Sequence, residues 1–166
     1  MRKLLFIILC AVGLAACNSS GCLDNGSALP LAGFYSYETL QKISANNFTV
    51  YGVGAPGDSA MLKPGTSSQE VYLPMKPDVP SSSWVIAYSQ AGIDSEEFND
   101  TITFRYATIP YFASLECGAM YSYRLEDVDH TCHLIDSVGI VDSLFTNVEL
   151  ERIHIYFRTA KEEPEE

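Results

Sequence analysis

From residue 47 onward, short runs alternate apolar and polar positions, and Gly, Pro, Ser or Asp clusters separate them. In "DTITFRYA" (100–107), Ile102, Phe104 and Tyr106 fall on one face and Thr101, Thr103 and Arg105 on the other. In "AMYSYRLEDV" (119–128), Tyr121, Tyr123 and Leu125 oppose Ser122, Arg124 and Glu126. In "ERIHIYFR" (151–158), Ile153, Ile155 and Phe157 point inward while Arg152, His154, Tyr156 and Arg158 point out. A period of two is the signature of half-buried strands. Further β-prone runs are "NFTVYGVG" (47–54), "QEVYLPM" (69–75), "WVIAYSQ" (84–90) and "LIDSVGIVD" (134–142), with a Pro- and Ser-rich loop at 77–83. "YETLQKI" (37–43) is the one helix candidate.

One wet face per strand is what antiparallel sheets require. Seven or more short strands in one domain predict an all-β, antiparallel two-sheet sandwich, immunoglobulin-like or related, with Trp84 in its core. Residues 18–33, rich in Asn, Ser, Gly and Pro, read as a tether. The expected layout is a signal segment (1–16), a lipidated start and tether (17–33), a sandwich (34–158) and an acidic disordered tail (159–166).

The first residues follow a different pattern. Arg2 and Lys3 precede an apolar run from Leu4 to Leu14, too short for the roughly 20 residues that cross a bilayer. A basic head and a short apolar stretch form a secretory signal. It ends in Leu14-Ala15-Ala16-Cys17, which resembles the lipobox of bacterial lipoproteins. There the cysteine is acylated and becomes the first mature residue. Two or more acyl chains suffice for durable attachment. The expected partner is therefore a membrane, reached through a lipid on Cys17.

Outside the cytosol disulfides persist. With Cys10 discarded and Cys17 lipidated, Cys22, Cys117 and Cys132 allow one bridge and one leftover thiol. Cys22–Cys117 is the expected pair, because it staples the domain's start to a turn-like stretch, "SLECGAM". Cys132 is then the spare thiol, expected to be buried.

Charge narrows the partners. The chain carries a net charge of −11, and loss of Arg2 and Lys3 with the signal takes it to −13. Such a chain is repelled by nucleic acid, so none is expected.

Chemistry-bearing patterns are sparse. "DHTCH" (129–133) is the one cluster of metal-ligand types, yet on a strand His130 and Cys132 share a face that His133 does not. A zinc site needs three or four ligands, so no metal or cofactor is expected. There is no Gly-x-Ser-x-Gly elbow. The tyrosines fall mostly on apolar faces and read as core. Four triplets run Asp, hydroxyl residue, aliphatic, placing Ser59, Thr101, Ser137 and Ser143 in a pattern that resembles a bacterial O-glycosylation sequon. A plain turn explains Asp100-Thr101 and Asp136-Ser137 equally well.

Taken in order, the lipobox, "GC" (21–22), "ECG" (116–118), "HLIDSVGIVD" (133–142) and "IHIYF" (153–157) make the chain resemble the DUF6452 family. This is a domain of unknown function in small lipoproteins of gut-type Gram-negative bacteria. The resemblance implies an outer-envelope location, and its two cysteine motifs favour Cys22–Cys117. It implies no activity, ligand or catalytic residue. The expectation is a non-catalytic lipoprotein on the periplasmic face of the outer membrane, binding a protein, peptide or glycan. The alternatives are an envelope-polymer hydrolase, seeded by His130, His133 or His154 near Asp129, and a structural subunit of an envelope complex.

Overall fold

A computed structural model describes residues 26–55, 59–115 and 117–159. Cys17, Cys22 and residues 160–166 lie outside these. Ten strands form two packed sheets: β1 (Leu31–Ser36), β2 (Phe48–Gly52), β3 (Ala60–Leu62), β4 (Glu70–Tyr72), β5 (Ser81–Tyr88), β6 (Asp100–Ser114), β7 (Gly118–His130), β8 (Ile135–Ile140), β9 (Leu144–Phe145) and β10 (Glu151–Phe157). One sheet has the order β4-β1-β10-β8, the other β3-β2-β5-β6-β7-β9. The fold is the predicted two-sheet β-sandwich. All pairings are antiparallel except that of β1 with β10, which is parallel.

The alternating runs became the strands that pack the core. Ile102, Phe104 and Tyr106 of β6 and Ile153, Ile155 and Phe157 of β10 are buried, as is Trp84. Phe34 and Phe157 from one sheet meet Phe48 from the other, with ring centroids 5.2–5.9 Å apart. Each such aromatic pair adds about 1 kcal/mol beyond the area it buries.

Four expectations need correction. Residues 37–43 form no helix: residues 37–39 turn and Tyr35 bridges back to Lys42. The turn is closed by Ser36, whose carbonyl accepts from Leu40 N–H while its own N–H donates to the Gln41 carbonyl. Leu40 takes φ = 58°, which no helix allows. Second, residues 31–33 belong to β1 rather than to a tether, and Ala28 is already buried. Third, the serine-rich loop ends early. Ser81–Ser83 open β5, where the Ser82 hydroxyl bonds the Tyr106 hydroxyl at 2.6 Å and Ser83 bonds Thr103 at 2.8 Å. Trp84 thus sits inside the strand rather than at its start. Last, Thr159, read as the first tail residue, is fastened by its N–H and hydroxyl to the Glu38 carboxylate.

Two features frame the functional surfaces. At one end, Asp100 ties the sheets together. Its side chain is 0% exposed and accepts from Tyr88 OH, Thr131 OH and the N–H groups of His133, Leu134 and Ile135, all within 2.7–2.9 Å. These donors lead from the end of β7 in one sheet into β8 in the other. At the other end, β6 and β7 outrun their neighbours. β5 accompanies β6 only as far as Arg105, and β9 meets β7 only at Tyr123 and Arg124. The rest is a two-stranded ribbon that turns between Ser114 and Gly118. Residues 26–28 lie along it: Tyr111 OH donates to the Gly26 carbonyl at 2.9 Å, and Ala28 N–H to the Tyr121 carbonyl at 2.7 Å.

Candidate binding cleft

Between the β2–β3 hairpin and the segment entering β5 lies an open cleft of about 670 Å³. Its walls are mainly apolar: Val53, Met61, Met75, Val79 and, at its base, Trp84. Gly52 pairs directly with Trp84 across the sheet, and the six-membered ring of the indole packs beside it, 3.4 Å from where a Cβ would stand.

The wall at 75–76 is held from beneath. Tyr123 OH donates to the Met75 carbonyl at 3.0 Å and Tyr106 OH to the Lys76 carbonyl at 2.9 Å. The two rings are edge-to-face, 5.2 Å apart. Burial, foremost, pushes the Tyr123 hydroxyl above its ordinary pKa. The wall is therefore formed before any ligand arrives. The Lys76 side chain is exposed and makes no ion pair among the described residues.

Trp84 is 6% exposed, and its indole N–H has no hydrogen-bond partner. A buried donor left unmatched costs about 1–3 kcal/mol, so native structures rarely keep one without a reason. Mainly apolar walls and a few polar groups, within a volume of several hundred Å³, are the usual make-up of a ligand site.

A second polar constellation lies on the outer face of the four-stranded sheet. One cross-strand row reads Glu70, Gly33, His154, Gly139. A side chain at Gly33 would collide with the Glu151 carboxylate. Glu151 accepts from Tyr35 OH at 2.5 Å and Lys42 Nζ at 2.6 Å, and lies 3.1 Å from His154 Nε2; Lys42 also reaches Glu70 at 2.9 Å. Burial pushes the Glu151 carboxyl up, but the bonds from Lys42 and Tyr35 outweigh it and hold the group below its ordinary pKa. The Tyr35 hydroxyl is pushed up to about 12, first by its bond to Glu151 and then by burial. Every charge here already has a partner, and the cleft is lined by none of Tyr35, Glu151 and His154. The network fastens the 37–42 turn to β4 and β10.

The sequence-derived candidates scatter. Cys117 sits at the ribbon tip, where its N–H donates to Ser114 Oγ at 3.0 Å. Cys22, its expected partner, lies outside the described residues. Cys132 is free and exposed, not buried, with its sulfur 3.6 Å from His130 Nδ1. His130 and His133 flank the end of β7, whereas His154 sits on the other sheet, so the three histidines do not converge. Among the described residues no group of three or more His, Cys, Asp or Glu is placed to hold a metal. Of the sequon residues, Ser59 and Ser143 are exposed, while Thr101 in β6 and Ser137 in β8 are half-buried. The acids before three of them have structural duties: Asp100 in the buried junction, Asp136 on Arg158 and Asp142 on Arg152. The tyrosines divide. Tyr88, Tyr106 and Tyr123 are core; Tyr35, Tyr72 and Tyr156 line the outer sheet face, and Tyr72 donates to Glu149 at 2.5 Å.

The fold defines a two-sheet β-sandwich with an open apolar cleft at one end. Residues 47–157, spanning β2 to β10, match the family described as "Family of unknown function (DUF6452)", and the chain belongs to that family. No curated protein matches the chain. No solved structure matches it either. Among the described residues no helix is long and apolar enough to cross a membrane.

Proposed function

We propose that the protein is a non-catalytic envelope lipoprotein, anchored through Cys17, whose Trp84 cleft holds a peptide segment of a protein partner. The observation that carries the binding reading is the open, mainly apolar cleft lined by Val53, Met61, Val79 and Trp84, whose wall at 75–76 is held in place by Tyr106 and Tyr123. A peptide supplies what the cleft lacks: apolar side chains for Val53, Met61 and Val79, and an acidic group for Lys76. A glycan fits less well, because apolar walls offer its hydroxyls few acceptors. The hydrolase alternative needs acid–base groups facing a cleft, and the Glu151 network is closed on itself. The anchor rests on the basic head, the apolar run and Leu14-Ala15-Ala16-Cys17. The Cys22–Cys117 bridge is supported by Cys117 being the engaged thiol and Cys132 the free one.

Trp84 is the only tryptophan, so its emission reports on the cleft alone. A photo-crosslinker at Val79 should capture one apolar, acid-containing segment in cells. Synthetic copies of that segment should shift Trp84 emission, and Met61→Asp should weaken them at least tenfold with an unchanged melting temperature. Equal crosslinking from Thr39 on the far turn, or no emission change with the captured peptide, would overturn the reading.

A further inference from the structure

The ribbon tip is the most exposed apolar part of the described structure. Leu115 is 94% exposed and Phe112 67%. Across residues 107–122 the sequence has one charged side chain, Glu116, in a chain of net charge −11. Behind the tip stand Tyr111 and Tyr121, both half-buried. Apolar residues in front of tyrosines follow the depth order of groups that settle into a bilayer interface.

The course of the chain tells what the tip faces. Gly26, the first described residue, is bonded to Tyr111, and Ser27 Oγ accepts from Tyr121 N–H at 3.1 Å. The chain upstream therefore joins the described domain beside the ribbon. Cys17 precedes Gly26 by nine positions, at most about 30 Å of extended chain. A Cys22–Cys117 bridge would shorten the free length to five positions, about 17 Å.

We infer that Phe112 and Leu115 form a second membrane contact, inserting into the interfacial layer of the bilayer that holds the Cys17 lipid. The inference rests on the anchoring reading above. The lipid gives residence and the ribbon tip gives orientation: the long axis of β6–β7 stands on the membrane. The tip carries a single charge, Glu116, and an anionic surface would repel it along with the rest of the acidic chain, so a surface of zwitterionic lipid is the suitable probe.

The test uses the full lipidated protein in phosphatidylcholine vesicles carrying brominated acyl chains, which quench tryptophan within the bilayer. Leu115→Trp should be strongly quenched, whereas the parent, reporting only from Trp84, should not. In a Cys17→Ser background, Phe112→Ser and Leu115→Ser should each lower partitioning onto the same vesicles about tenfold, with the melting temperature unchanged. Quenching of Leu115→Trp no greater than the parent's would overturn the inference, as would a concentration-dependent dimer lost in the serine variants, which would assign the tip to a second copy. Intact mass reports acylation of Cys17 independently, so a failed anchor and a failed tip contact are told apart.

Discussion

Two aromatic residues on the same inner face of β5 meet opposite fates. Tyr88 sends its hydroxyl to Asp100 at 2.7 Å inside a junction where five donors converge on one carboxylate. Trp84, four residues earlier, is just as buried, yet its N–H bonds to nothing. Both side chains are amphipathic, and both ends lie between the same two sheets. The difference lies in the neighbours. At the Tyr88 end the chain crosses from β7 to β8 and brings backbone N–H groups that must be satisfied. At the Trp84 end the strands open onto a cleft. A matched polar group marks the end that holds the fold together, and the other end is left open as a cleft.

The comparison fails most visibly if Asp100 is dispensable. Asp100→Ala strands several buried donors at once and should cost about 4 kcal/mol or more, measured by chemical denaturation; a cost below about 1 kcal/mol would deny the junction its role. Acid gives a second, milder probe. Burial pushes the Asp100 carboxyl up, but the bonds from His133, Ile135, Tyr88 and Thr131 outweigh it and leave its pKa below the ordinary value. The folded state therefore binds this proton less readily than the unfolded chain. The stability so gained is present above the ordinary carboxylate range and is lost as pH falls through the lowered value. Asp100→Asn, though less stable throughout, should show a shallower loss across that acid window. The smallest effects sharpen the contrast directly. Tyr88→Phe should cost about 1–2 kcal/mol by leaving Asp100 short of a donor. Trp84→Phe removes a donor that had no acceptor, so its cost should come from lost contact area alone and stay within about 1.5 kcal/mol. Only Tyr88→Phe should also alter the acid loss of stability tied to Asp100; an equal change in Trp84→Phe would erase the distinction between the two ends.

Much of the framework was legible in local pattern, because β5, β6 and β10 each keep one wet face. β1 hid because it has none. Ala32 and Phe34 face the core, while Gly33, on the other side, lies beneath the Glu151 carboxylate. A strand covered on both sides does not alternate, and Pro30 and Gly33 made it look like a turn. The 37–43 stretch carries helix-forming residues, yet ion pairs from Lys42 to Glu70 and Glu151 hold it as a turn over the sheet. Asp100 was visible as an acid at a strand start, but its backbone partners come from 33–35 residues further on, beyond any short window. The cleft was equally hidden. Val53 and Val79 lie in connections between strands and Met61 in a three-residue strand, and only the packing of the sheets brings them together.

The parallel pairing of β1 with β10 joins Leu31 to Glu151 and Ser36 to Phe157. The middle of one sheet thus cannot be assembled until Glu151–Phe157 have emerged. Until then, β1 has no neighbour on that side and the Phe34–Phe157 contact is missing. The six-stranded sheet contains neither β1 nor β10, so it can pair first, and completion of the final strand is the event that lets the second sheet close over it.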